Sequence, residues 1–176
     1  MANTMIKLQT VTVGASGASS IDFTSIPQTF TDLKIVISGR GASGAGNVSM
    51  RFNGVTSGYT NRRLYGDGAA GNSDTVSGTA AAAGSAILCG VISASTTTAS
   101  VFGSQEIYIP NYTLSNNKSV SCDAVIETNA TTAYQDLIAG LWSNTAAITS
   151  ISLISYQTSG TFVQYSTATL YGIKSS

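Results

Sequence analysis

Apolar and polar residues alternate one by one along most of this chain. In NVSMRFN, at positions 47–53, valine, methionine and phenylalanine alternate with serine, arginine and asparagine. Successive side chains of a β-strand point to opposite faces, so this pattern is typical of a strand with one buried face. The same alternation predicts ten or eleven strands, at 5–13, 20–23, 33–38, 47–53, 59–65, 86–92, 105–109, 119–127, 137–142, 148–154 and 162–173.

Helical patterns are scarce, which favours an all-β fold. TTAYQDLIAGL, at 131–141, can be drawn with an apolar helical stripe, but Gly140 and the β-branched residues around it disfavour a helix. Short strands separated by Gly, Asn and Ser clusters are typical of antiparallel sandwiches and barrels. We expect one all-β domain over residues 1–176, an antiparallel, jelly-roll-like β-sandwich of about ten strands. Long loops are expected at 39–47 and 66–84, and the second is the better candidate for a contact surface.

The chain is neutral and poor in ionisable groups. Eight Lys and Arg residues balance eight Asp and Glu residues, and there is no histidine. A neutral, hydroxyl-rich surface neither attracts phosphate backbones nor repels other copies of itself, so we expect self-association and no nucleic-acid partner. No apolar run approaches the roughly 18 residues of a membrane helix, and the first residues lack the apolar core of a signal peptide. A membrane partner is therefore not expected.

Motifs for catalysis and cofactor binding are incomplete. Two loops, starting at Gly39 and Gly66, have the spacing G-x-G-x-x-G, but neither leads into a predicted helix whose N-terminus would hold a phosphate. Ser115 and Lys118 have the spacing S-x-x-K, but they lie in a predicted turn. Without histidine, a His-based triad and a conventional zinc site are both excluded. We predict no enzymatic activity, no cofactor and no metal.

The acidic residues and cysteines give only weak signals. Asp123 and Glu127 share a predicted strand face about 13 Å apart, farther than the roughly 5 to 9.5 Å between glycosidase carboxylates. Asp67 and Asp74, in a Gly- and Asn-rich loop, are a weak calcium signature with too few carboxylates around them. The two cysteines, at positions 89 and 122, fall in apolar strand patterns and are predicted to be reduced and buried.

The arginines are the main candidates for a contact site. Because neighbouring residues of a strand point to opposite faces, one of Arg62 and Arg63 should point outward and the other inward. An inward arginine needs a partner, for which Asp67, Asp74 and Glu106 are the candidates. Alternatively the arginines bind a neighbouring subunit, since Arg is enriched at interfaces. The candidate interface set is Arg51, Arg62, Arg63, Asp67 and Asp74.

Aromatic residues leave a second possibility open, because a row of exposed rings can bind sugars. Scattered tyrosines at strand ends are more often core and rim residues. The residues concerned are Tyr59, Tyr65, Tyr108, Tyr112, Trp142, Tyr156, Phe162, Tyr165 and Tyr171.

Five segments together cover most of the chain and carry a resemblance: SSIDFTSIPQTFTDLKIVISGR, MRFNGVTSGYTNRRLYGDG, EIYIPNYTLSNNKS, AGLWSNTAAITSISL and QYSTATLYGIK. They resemble small virion structural proteins of tailed bacteriophages, especially marine and cyanobacterial ones. The resemblance implies a β-sandwich in the assembled particle, either decorating the capsid or in a tail fibre. It supplies no functional residues to carry over.

A capsid decoration, or cement, protein is the interpretation we favour, because the chain reaches its first strand within a few residues and has room for one domain. The expected partners are the major capsid protein or other virion proteins, and the expected form is a homotrimer located in the virion after assembly in the host cytoplasm. A protein that binds the mature shell stabilises it by mass action. The alternative is a tail-fibre or receptor-binding domain that recognises host surface glycan.

Overall fold

The structure is a computed structural model that describes residues 4–42, 46–75, 84–129, 133–156 and 160–174. These residues form twelve strands. The strands are β1 (Met5–Thr12), β2 (Ser20–Phe23), β3 (Asp32–Gly39), β4 (Gly46–Phe52), β5 (Tyr59–Gly66), β6 (Gly71–Asp74), β7 (Ile87–Ile92), β8 (Gly103–Ile109), β9 (Lys118–Ile126), β10 (Tyr134–Trp142), β11 (Ile151–Tyr156) and β12 (Thr167–Ile173). No helix occurs in the described ranges, and therefore none that is long and apolar enough to cross a membrane.

The strands form two antiparallel sheets packed face to face. The larger sheet has the order β1-β12-β3-β8-β9-β10-β5-β6, and the smaller has the order β2-β11-β4-β7. Strand β7, at one edge of the small sheet, packs across the middle strands of the large one. The predicted all-β antiparallel sandwich is confirmed. Its jelly-roll-like topology stays a prediction.

The core lies between the two sheets and is built from strands along which buried and exposed residues alternate. Along β9, for example, the alternation runs through all nine residues and begins and ends with a buried one. The rings of Phe52, Tyr59 and Trp142 form a cluster in which Tyr59 and Trp142 are stacked with centroids 6.0 Å apart. Within this cluster the hydroxyl of Tyr59 accepts a hydrogen bond from the backbone N–H of Phe52 (2.9 Å).

The structure differs from the predicted elements mainly in the long loop at 66–84. Residues Gly71–Asp74 form β6, which pairs with β5 as the outermost strand of the large sheet. The pattern GNSD contains no apolar residue, so alternation could not reveal it. The helical alternative at 131–141 falls largely in β10, a strand. Positions 43–45 and 76–83 of the two predicted loops lie outside the described residues.

Candidate functional site

Arg63 lies on the inner side of β5 and forms an ion pair inside the sandwich. Its Nε (3.0 Å) and Nη2 (2.7 Å) both donate to Oδ1 of Asp136, which is buried on the neighbouring strand β10. The guanidinium also lies 3.9 Å from the centroid of the Tyr65 ring. Burial raises the pKa of Asp136, and the positive charge of Arg63 partly opposes that shift.

This arrangement corrects the predicted partner of the inward arginine. Asp136 binds Arg63, whereas Asp67 and Glu106 have other partners. Asp74 stands opposite Arg63 in the β5–β6 pairing, but the ion pair is made with Asp136. The sequence does indicate that Asp136 points inward, because it falls in the same two-residue phase as Ile138 and Trp142, which are buried.

Three polar side chains of the large sheet bind the free edge of β7. Asn61 accepts the N–H of Leu88 at its Oδ1 (3.0 Å) and donates from Nδ2 to the carbonyl of Ala86 (3.1 Å). Val91 is held by two further residues in the same way: its N–H donates to Oδ2 of Asp136 (3.0 Å), and its carbonyl accepts from Nε2 of Gln105 (3.2 Å). An unpaired strand edge is a template for further strand pairing. These inward polar residues therefore close one edge of the sandwich.

The opposite side of the large sheet, which we call the outer face, points away from the small sheet. One row of this face runs across six adjacent strands in register, and its members are Val36, Glu106, Asp123, Leu137, Leu64 and Ser73. Leu64 is 57% exposed, Leu137 is 52% exposed and Val125, two residues along β9 from Asp123, is 42% exposed. Apolar side chains grouped on an exposed surface mark sites of interaction.

Leu64 and Leu137 also line two grooves on the β6 side of the outer face. One has a volume of about 540 Å³ and includes Arg62, Asp74 and Ala139 in its lining. The other has a volume of about 510 Å³ and includes Tyr65 and Gln135. This part of the outer face therefore has grooves as well as exposed apolar side chains.

Charges on the outer face are only partly paired. Glu106 and Asp123 stand directly opposite each other on β8 and β9, an arrangement that is unfavourable for like charges. Lys34 forms an ion pair with Glu106. Among the described residues, no ion pair or side-chain hydrogen bond to Asp123 is found. Arg62 points outward from β5, and its Nη1 donates to the carbonyl of Asn61 (2.9 Å).

The candidate interface residues from the sequence do not lie on one surface. Arg51 is half-buried in the small sheet, where its Nε donates to the carbonyl of Ser85 (3.0 Å). Asp67 lies in the β5–β6 turn, where its Oδ1 accepts the N–H groups of Ala69 (3.0 Å) and Ala70 (2.9 Å), and these bonds lower its pKa. Arg63 is internal. Of the set, Arg62 is the arginine exposed on the outer face.

Two motifs that resembled catalytic or cofactor sites have structural roles. The second glycine-rich match starts at Gly66 at the end of β5 and ends at Gly71 at the start of β6, so it is a β-hairpin turn. Lys118 is buried, and its ammonium donates to the carbonyls of Leu114 (2.7 Å) and Asn116 in the preceding turn. Burial lowers the pKa of Lys118. Ser115 is exposed in that turn.

The cysteines, the calcium candidates and the aromatic residues also have places in the structure. The cysteines at 89 and 122 are both free and buried, as predicted, and burial raises the pKa of Cys89. Within the ranges that the structure describes, no three His, Cys, Asp or Glu residues cluster as metal ligands. Tyr59, Tyr112, Trp142 and Phe162 are buried in the core.

Tyr108 is an exposed aromatic residue on the outer face. Its hydroxyl donates to Oδ2 of Asp32 (2.6 Å), and this hydrogen bond raises the pKa of Tyr108. The ring is thereby fixed beside a carboxylate whose other oxygen accepts the N–H of Asn111 (2.8 Å).

Searches against protein-family models, curated proteins and solved structures find no match to this chain.

Proposed function

We propose that this chain is a structural protein of a bacteriophage virion, which decorates the capsid and attaches through the outer face of its large sheet. The observation that carries this proposal is the pairing of Leu64 with Leu137, two half-exposed leucines directly opposite each other near the β6 edge of the eight-stranded sheet. Exposed apolar side chains grouped in this way favour a protein partner. The resemblance to phage virion proteins directs the proposal to a particle surface.

The inner side of the sheet supports the same role. Hydrogen bonds to β7 from Asn61, Gln105 and Asp136 connect the two sheets. The sheet that bears the outer face is therefore cross-linked to the small sheet behind it. A preorganised surface loses less conformational entropy on binding. Attachment to the mature shell would then stabilise that shell by mass action.

The experiment uses particles of the phage that encodes the chain, produced with its gene disrupted. Purified protein is added back, and its occupancy is measured by quantitative mass spectrometry and located by cryo-EM. We expect the wild-type chain to appear as density on the capsid surface. We expect the variant Leu64→Asp with Leu137→Asp to lose most of that occupancy, because it places carboxylates at the centre of the contact.

Thr56→Asp, in the exposed turn after β4, is the matched control and should bind as the wild type does. Density on the tail, or equal occupancy by the double variant and the control, would contradict attachment to the capsid through this face. Arg63→Ala is not a suitable probe, because it removes an internal ion pair rather than a surface contact.

A receptor-binding function is the second candidate, and the observation that favours it is Tyr108 fixed by Asp32 on the outer face. This function predicts that the purified chain binds polysaccharide from the host surface in a calorimetric titration. It also predicts that Tyr108→Ala abolishes the heat of binding, and that cryo-EM locates the chain on the tail rather than on the capsid. The two functions are thus separated by one variant and two measurements.

A further inference from the structure

We infer that the partner of the Leu64–Leu137 part of the outer face is a second copy of this chain, held by contacts between Arg62 of one copy and Asp123 of the next. This inference rests on the proposed function, in which the outer face is the contact surface. It assigns the Leu64–Leu137 part of that face to contact between copies, and it leaves the rest of the outer face to the shell. The evidence is that one face of one chain carries both halves of a charge-complementary contact, on either side of an apolar centre.

The apolar centre lies on β10 and β5. Leu137 and Leu64 face each other in register, and Ala139 follows on the same side of β10 opposite Arg62. Leu64 and Leu137 each expose more than half of their surface. When such a centre is covered by another protein surface, the side chains gain roughly 25 cal/mol for each Å² of apolar area removed from water.

The two charges stand on the strands that flank this centre. Asp123 is on β9, next to β10 on one side, and Arg62 is on β5, next to β10 on the other. Adjacent strands are about 4.8 Å apart, so β9 and β5 are about 10 Å apart. The two residues are also one row out of step, because Arg62 stands level with Ser121 rather than with Asp123. Leu137 and Ala139 lie between them, and the described residues show no ion pair between the two charges.

Both charges lack an opposite charge of their own within the described residues. Asp123 faces Glu106, whose charge is already matched by Lys34, so the β8–β9 pairing leaves one carboxylate in excess. The guanidinium of Arg62 binds a backbone carbonyl of its neighbour Asn61. A contact that supplies Asp123 with a guanidinium would relieve the like-charge opposition and give Arg62 a carboxylate, the group it binds in a fork geometry.

A second copy meets both requirements at once. If β5 of one copy lies over β9 of the next, Arg62 comes over the Ser121–Asp123 segment while the leucines of both copies meet near β10. Because both copies use the same face, β5 of each lies over β9 of the other, and the contact closes as a two-fold dimer in which both Arg62–Asp123 pairs form. Closed repetition of one contact is the usual way in which homo-oligomers form.

The test measures the mass and dissociation constant of the full purified chain by light scattering and sedimentation. The wild-type chain is expected to be an oligomer. Arg62→Asp and Asp123→Arg should each weaken association at least about tenfold, because each places like charges together. The exchange variant carrying both substitutions should recover most of that loss, since it restores the pair in reverse. Lys174→Asp, which reverses an exposed charge outside this contact, is the matched control and should associate as the wild type does.

The exchange variant distinguishes a lost contact from a misfolded chain, because a substitution that merely damages the fold is not rescued by a second one. A monomeric wild type at tens of micromolar, an oligomer unaffected by either reversal, or a failed rescue would each overturn the inference. The result is separable from capsid attachment. A monomeric chain found on the capsid overturns this inference and leaves the proposed function standing, whereas a rescued oligomer that is absent from particles does the reverse.

Discussion

Arg63 and Asp136 share an ion pair between the two sheets, and the second carboxylate oxygen of Asp136 accepts the backbone N–H of Val91. The carboxylate thus joins β5, β10 and β7 at one point. Asp136 is buried and Arg63 is half-buried, and burying a charge is costly unless it is paired and hydrogen-bonded. The two residues depend on each other for their place in the fold.

Removing the carboxylate should therefore destabilise the chain strongly. We expect Asp136→Asn to lower the free energy of unfolding by about 3 kcal/mol, the low end for a buried pair, because it leaves the half-buried Arg63 charge without its counter-ion. Urea unfolding followed by the fluorescence of the one tryptophan, the buried Trp142, measures this. Asp22→Asn removes an exposed carboxylate on β2 and should change stability by less than about 0.5 kcal/mol. Equal losses in the two variants would show that the internal pair has no special role.

Asn61 provides a second test, which concerns its hydrogen bonds to the free edge of β7. Asn61→Ala leaves the N–H of Leu88 and the carbonyl of Ala86 without their partners inside the sandwich, and we expect a loss of about 2–4 kcal/mol. Hydrogen exchange by NMR reports the same event locally, as faster exchange of the Leu88 amide. Asn72→Ala, on the exposed strand β6, is the control and should leave that amide protected. Unchanged protection of Leu88 in Asn61→Ala would contradict the edge-binding role.

The alternation of residues was enough to predict most strands of this fold, and it also holds a signal for the internal polar residues. Asn61 and Arg63 follow Tyr59 in the same two-residue phase, and Tyr59 is buried. Gln105 is in phase with Ile107 in the same way. A polar residue in the buried phase of a strand therefore indicates an internal hydrogen bond or ion pair, and this phase identifies Arg63 as the inward arginine.

The alternation does not identify the residue that an inward polar side chain binds. Arg63 meets Asp136 because β5 pairs with β10, and these strands are separated by a long stretch of chain. Asn61 meets Leu88 because β7 packs across the large sheet. Such pairings depend on strand order and on packing between sheets, which local alternation does not report. For the same reason the clustering of Leu64 and Leu137 on the outer face becomes visible only with the register of the sheet.

Gly90 allows a prediction about backbone geometry. It has φ +109° in β7, and a Cβ at this position would lie 2.3 Å from Cβ of Ala124 in the facing sheet. Gly90→Ala combines backbone strain with overpacking, so we expect a loss of about 2–5 kcal/mol in urea unfolding. Gly14→Ala is the matched control, since a Cβ added at Gly14 would have nothing within 4 Å. A loss as large in the control as in Gly90→Ala would remove this explanation.

Tyr59 gives a prediction in which pH separates burial from packing. Burial raises its pKa above the ordinary value of 10.0, although its hydrogen bond with Phe52 opposes the shift. The folded chain therefore keeps this proton at a pH where the unfolded chain has lost it, so stability falls as pH rises from about 10 through the raised pKa.

The variant Tyr59→Phe removes the ionisable hydroxyl. We expect it to be about 1 kcal/mol less stable than the wild type at pH 8, because the hydrogen bond is lost. We expect this difference in stability to shrink as the pH passes 10. Urea unfolding at pH 8 and at pH 10.5 measures the two differences. Tyr165→Phe, at an exposed position, should stay within about 0.5 kcal/mol of the wild type at pH 8. A Tyr59→Phe deficit that is the same at both pH values would show that the hydroxyl of Tyr59 is not held away from solvent.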